Sequence, residues 1–327
     1  MVQNFLRNGY SVTEQYKKIK VIQTLLVIIV LVSAGYYVYS HKKDFASLLE
    51  IDWLDFVALL VVIGLTSFFN ASQNAVLIRS LGTPLSDLES FGLSNVSALV
   101  NFIVPQGITI TKAVYLKQRY AVSYSKFTAL FLGLLVIFLF VGSLLMAIAN
   151  TTATILGILV PGILWIVCFL GCASSFLFFI DFPKKNFRSF GGLGKMLESF
   201  SEGWRLLRKD KSCLFKASLW QIAIFISSGI GITIAYHSIN IDINPILGIS
   251  LAVFISFSNL IVIIPGNFGI QESIFGYLSY LSGLLFVQGV VISTLMRTTS
   301  FIVTVVIAPF SWYFLIFRQK IKLTRKS

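Results

Sequence analysis

Two opposite charges stand in apolar surroundings, where an unpaired charge is costly. Arg297 lies ten residues into the run 287–317, and Glu272 closes the stretch "IVIIPGNFGIQE" among Ile270, Ile274 and Phe275. At 1.5 Å per residue, Arg297 is roughly 15 Å into its run, about half the thickness of a bilayer's hydrocarbon core. A charge at that depth faces a protein interior and needs a partner. Glu272 is the only other charge expected inside the membrane, so the two are expected to pair or to line one cavity, touching a polar headgroup or acting as a gate. The alternative is an ion pair that merely locks a hairpin. Amides and glycines collect at the same place: Asn259, Asn267, Gly269 and Gln271 flank Pro265 and Gly266, while Asn101 and Gln106 flank a second break at Pro105. Interhelical hydrogen bonding accounts for many such amides; contact with a polar substrate is the other use.

The segment after Pro105, "QGITITKAVYLKQRY", carries Lys112, Lys117 and Arg119 with no acidic residue nearby. Such a limb suits phosphate, and equally suits a basic anchor for a helix end. Asn70, Gln73 and Asn74 share one face of the run 53–78. Little else has chemical potential. The only histidines are His41 and His237. Cys168, Cys172 and Cys213 lie in or beside apolar runs, with Cys168 and Cys172 on one helix face. No metal site, no cofactor and no redox chemistry are expected. Asp44, Glu50, Asp52 and Asp55 form a loose acidic cluster, the one feature that would serve an enzyme at a water boundary.

The elements that must position these residues follow from composition. With 56% hydrophobic and 12% charged residues, the chain has six runs near or above the roughly 20 residues that cross a bilayer: 21–39, 53–78, 127–149, 152–180, 214–236 and 287–317. The first is followed by "HKKDF" rather than a cleavage site, so a retained span is expected. The formal charge of +13 sits in loops beside the runs and reports orientation rather than nucleic-acid binding.

Two stretches, 91–104 and 247–264, are ambiguous, and charge decides between their readings. If both cross, ten Lys and Arg lie inside and fifteen outside. If each enters, breaks at its proline and returns, twenty-three lie inside, two (Lys42 and Lys43) outside, and Arg297 within the membrane. The positive-inside rule favours the second arrangement. The expected fold class is therefore an all-α integral membrane protein with about six full transmembrane helices, two re-entrant helical hairpins and both termini cytoplasmic.

An offset of 160 residues aligns Pro105 with Pro265, Lys112 with Glu272, and 53–78 with 213–238. The expected organisation is one membrane domain, 1–327. It comprises a cytoplasmic N-terminus (1–20), repeat 1 (53–149), an amphipathic cytoplasmic linker (181–212), an inverted repeat 2 (213–317) and a basic tail (318–327). Inverted repeats place binding sites where broken helices meet near the midplane.

Two motifs add a resemblance: "NFIVPQG" with the basic "KAVYLKQRYAVSYSKF" behind it, and "IPGNFGIQE" with "MRTTSF" some twenty-five residues on. Over roughly 20–317 the chain resembles the lysylphosphatidylglycerol synthase transmembrane regions, also called flippase-like domains. The resemblance implies a multi-pass protein of the cytoplasmic membrane that moves a phospholipid or a polyisoprenyl-linked glycan lipid in cell-envelope biogenesis. It assigns importance to Pro265, Gly266, Gly269, Glu272 and Arg297, and in the first hairpin to Pro105 and Lys112. That hairpin departs from the Pro-Gly and Gly-acidic pattern, with Gln106 and Thr111 instead. Ten residues follow the last run, so a member without the synthase domain is expected. The implied partners are membrane lipids with anionic or glycan-linked headgroups and a separate synthesising enzyme, not nucleic acid. The sequence carries no ATP-binding motif, which leaves downhill, ion-coupled or scrambling movement. Alternative readings are a membrane-embedded enzyme or accessory subunit of glycan assembly, and a small-solute or ion transporter.

Overall fold

The computed structural model describes residues 36, 39–40, 42–46, 48, 50–103, 106–176, 204–205, 207–260, 267 and 269–324. The expected span 21–39, most of the linker 181–212, the side chains of the basic tail, and Pro105, Pro265 and Gly266 lie outside them. The described chain is helical, with no strand: α1 (Lys42–Ala46), α2 (Trp53–Arg79), α3 (Asp87–Ile103), α4 (Gly107–Tyr120), α5 (Tyr124–Ile155), α6 (Gly162–Phe176), α7 (Lys211–His237), α8 (Pro245–Ser258), α9 (Ile270–Leu281) and α10 (Phe286–Thr324).

Four of these, α2, α5, α7 and α10, are long and apolar enough to cross a membrane. At 27 residues, α2 and α7 reach about 40 Å, beyond the roughly 30 Å hydrocarbon core. Their outer faces confirm the solvent they are made for. Val57, Val61, Leu65 and Phe68 form an exposed stripe along α2, and Phe140, Leu144 and Ile148 another along α5. Stripes of that extent belong against lipid rather than water. The chain starts its helices with polar caps where it leaves the apolar region: Asp52 accepts from the Leu54 N–H, Ser123 from Lys126, and Asp210 from Cys213.

One boundary differs from the expected runs. The runs 127–149 and 152–180 place a break at Asn150-Thr151, yet α5 continues through to Ile155. The threonines there satisfy themselves within the helix, Thr152 Oγ1 donating to the Ile148 carbonyl and Thr154 Oγ1 to that of Asn150. The turn falls instead at Gly157, whose φ of +72° is open to glycine, and ends at Pro161 before α6.

At the centre, α2 and α7 run antiparallel. Asp55 meets His237, Thr66 meets Ser227, Gln73 meets Gln221, and Cys213 meets the carbonyl of Val76. With the 160-residue offset, Ser227 corresponds to position 67, so the crossing point lies where each helix meets its own counterpart. Around it α3 packs on α10, and its counterpart α8 packs on α5. Each broken segment thus leans on the last long helix of the other half.

The broken segments turn back on themselves. Glu89, near the start of α3, is bonded by Tyr115 and Tyr120 near the end of α4. The two ends therefore lie at one level, and the 17-residue α3 at about 26 Å is too short to cross alone. At the tip the backbones touch: a Cβ on Gly107 would stand 2.7 Å from the Asn101 nitrogen. In the second hairpin Ser279, near the end of α9, bonds Tyr236 at the end of α7, the level from which α8 sets out seven residues after Ser238.

Close packing holds α9 on α10. A Cβ on Gly289 would run into the Phe275 carbonyl and the Ser279 hydroxyl, and one on Gly276 into the Phe286 ring at 2.7 Å. Replacing Gly289 by Val therefore forces the second hairpin off α10, an overpacking cost of about 1–3 kcal/mol or more. The expected result is a clear drop in melting temperature in detergent. Gly64→Val, where a Cβ meets nothing within 4 Å, is the matched control and leaves melting nearly unchanged.

Candidate functional site at the hairpin tips

In the second hairpin the residues singled out from the sequence form one connected network. Arg297 Nε lies 3.1 Å from Glu272 Oε1, with side-chain exposures of only 11% and 19%. Another guanidinium nitrogen of Arg297 donates to Gln271 Oε1 at 2.9 Å and to the Asn267 carbonyl at 3.4 Å. Asn267 Nδ2 reaches Asn259 Oδ1 at the end of α8, 3.3 Å away. Glu272 also caps its own helix, its Oε2 accepting from the Gly269 N–H at 2.7 Å. The local sequence explains the shape: Asn267 (φ 53°) and Gly269 (φ 81°) take up left-handed backbone, which asparagine and glycine tolerate best.

The electrostatic logic is compact. The first turn of α9 presents the positive end of a helix dipole, where an arginine alone would be repelled and a carboxylate is welcome. Glu272 serves both, neutralising the helix end and the guanidinium. Removing either partner strands a buried charge.

The first hairpin brings its tip to the same helix. Phe102 packs edge-on against Phe301, ring centroids 5.2 Å apart, one turn beyond Arg297 on α10. The two tips thus converge on positions 297–301. Asn101 and Gln106 make no side-chain hydrogen bond among the described residues. Gln106 is exposed in left-handed backbone (φ 57°) and caps α4 without a side-chain bond. Lys112 is buried at 7% exposure rather than lying in a basic surface loop.

One expectation needs correction: the basic limb does have an acid beside it. Glu89 is 3% exposed; Arg119 Nε lies 2.8 Å from its Oε1, which also accepts from the Tyr115 and Tyr120 hydroxyls at 2.7 and 2.8 Å. Glu89 sits 30 residues before Arg119, so a search for nearby acids misses it. Hairpin arithmetic finds it: from a tip at 105, positions 89 and 119 are almost equally distant and must face each other. Lys117 instead lies over the Tyr124 ring at 4.2 Å and is exposed.

Away from the tips, Gln73 is buried and bonded to Gln221 and to the Ala217 carbonyl, while Asn70 and Asn74 bond back into their own helix. The acids of the alternative reading are occupied as well, Asp52 as a helix cap and Asp55 with His237. Among the described residues no group of three or more His, Cys, Asp or Glu is placed to hold a metal ion.

Between α3 and α10 a groove of about 340 Å³ is walled by Leu88, Phe91, Gly92, Val306, Ile307, Phe310 and Ser311. Leu88, Val306 and Phe310 are largely exposed, so it opens sideways on the lipid-facing surface.

Long apolar helices, short paired hairpins and a charged network where the tips meet define a polytopic α-helical membrane protein. The family model for the lysylphosphatidylglycerol synthase TM region matches residues 21–308, and the chain belongs to that family. No curated protein and no solved structure matches it.

Proposed function

We propose that the chain is a flippase-like transporter of the cytoplasmic membrane, moving a phospholipid or a polyisoprenyl-linked glycan lipid from one leaflet to the other in cell-envelope biogenesis. The observation that carries this reading is the Arg297–Glu272 network at the meeting point of two hairpin tips, with an open apolar groove two to four turns further along α10. Burying an ion pair is a poor route to stability compared with apolar packing. A polar network in the interior and an apolar groove farther along the same helix suit a cargo with a charged head and an oily tail. The headgroup passes along the tips while the acyl chains remain in the groove and the bilayer. In this reading both termini are cytoplasmic, the first hairpin enters from the cytoplasm and the second from the opposite face. A separate enzyme makes the cargo, and the work done here is translocation rather than bond making. The sideways opening favours this over a small-solute carrier, which needs an enclosed aqueous cavity.

The test is reconstitution. Purified protein in liposomes is expected to accelerate the transbilayer movement of fluorescent phosphatidylglycerol or of a labelled polyprenyl-phosphate glycan, read by dithionite quenching. The variant Arg297→Leu is expected to lose at least tenfold of that rate. No acceleration for any anionic or glycan-linked lipid, by protein that keeps its melting transition, contradicts the proposal.

A further inference from the structure

At one pair of equivalent positions the two hairpins carry opposite charges. The offset of 160 sets Lys112 opposite Glu272. In the second hairpin the chain supplies its own anion, Glu272, which binds the Gly269 N–H and faces Arg297. In the first, α4 also begins at a left-handed residue just past the break, yet no acid stands in its first turn and no side chain caps it. Five residues after Gly107 comes Lys112, 7% exposed. Among the described residues its ammonium has no acid within ion-pairing distance and no hydrogen-bond partner; Glu89, lower on the hairpin, is taken by Arg119. Lys112 is the sixth residue of α4, one turn further in than Glu272, the third of α9, and since side chains on a helix lean toward its N-terminus its ammonium reaches back toward the start of α4.

A buried cation without a counter-ion costs several kcal/mol, and the start of α4, packed against the last turn of α3 at Gly107, has neither an acid nor a side-chain cap of its own. An anion from outside the chain relieves both. We propose that the first hairpin binds a phosphate anion between Lys112 and the start of α4, in the place that Glu272 fills in the second. The anion is the phosphodiester of a lipid headgroup or free phosphate. The inference rests on the transport reading above and names the charge that its cargo presents there. The hairpin pair then works as one site that takes an anion and one that already holds its own.

The experiment is equilibrium binding to the full chain in detergent, with dihexanoylphosphatidylglycerol as one probe, inorganic phosphate as the second and uncharged dihexanoylglycerol as control. The wild type is expected to bind the phospholipid and not the control. Lys112→Met is expected to weaken binding by roughly tenfold or more, and Lys112→Arg to stay within threefold, since one charge-assisted contact is lost or kept. Removing a buried charge is expected to hold or raise the melting temperature of K112M, and Lys112→Gln serves as a second neutral variant. Competition by inorganic phosphate assigns the site to free phosphate; its absence assigns the site to the lipid headgroup. A folded K112M that binds within twofold of wild type, or a wild type that binds neither probe, overturns the proposal. If binding fails while reconstituted transport persists, only the anion site falls. If binding holds and no lipid moves, the anion site stands and the transport reading falls.

Discussion

Arg297→Leu is expected to destabilise the protein by about 3–5 kcal/mol, the range for breaking a buried ion pair from one side. Glu272 would remain 19% exposed with its closest cation gone, and Gln271 and the Asn267 carbonyl would each lose a donor. The double variant Glu272→Gln/Arg297→Leu separates structure from transport. Glutamine keeps an acceptor for the Gly269 N–H, so the cap on α9 survives. With both charges removed, most of the lost stability is expected to return, as judged by melting in detergent. Lipid movement is expected to stay at the level of the single variant. Return of transport together with stability would reduce the pair to a lock on the hairpin.

Glu89→Ala is expected to have an effect of similar size, again about 3–5 kcal/mol, because the loss exceeds one contact. The guanidinium of Arg119 is 11% exposed and loses its carboxylate, and two tyrosine hydroxyls lose their acceptor. These bonds tie the start of α3 to the end of α4, so the first hairpin opens at its base. Limited proteolysis between 80 and 123 is expected to speed up markedly. Glu89→Leu/Arg119→Met removes both charges and is expected to recover much of the stability. An unchanged cleavage rate in E89A would show that the latch does not hold the hairpin.

The second hairpin is the more legible half of the candidate site because its partners are chemically unmistakable. An acid and a base in apolar runs, with a Pro-Gly break between amides, leave few arrangements that satisfy every charge. Asn259, Asn267, Gln271, Glu272 and Arg297 do meet. The first hairpin was harder to read. Both members of its ion pair lie near helix ends, and Arg119 looks like any positive-inside residue until the fold brings Glu89 against it. Lys112 was counted with the cytoplasmic basic residues for the same reason, since sequence shows a charge but not its burial. The break the apolar runs leave at Asn150-Thr151 is bridged in the fold, because threonines bonded to carbonyls four residues back continue a helix. Of the six expected spans, α2, α5, α7 and α10 have the length and apolarity to cross. The expected span 152–180 starts at Gly162 in α6, which is described as far as Phe176.

The central claim is that two hairpins enter from opposite faces and meet inside. It is tested most directly by labelling single cysteines, on a background lacking the native three, with a membrane-impermeant maleimide from each side of sealed vesicles. Asp87 and Gln118 mark the two ends of the first hairpin; Asp242 and Leu285 flank the second, and all four are exposed. Positions 87 and 118 are predicted to react only from the cytoplasmic face, and 242 and 285 only from the opposite face. Reaction of 87 and 118 from different faces, or of 242 and 285 from different faces, would mean that a helix crosses where a hairpin is claimed, and would contradict the account.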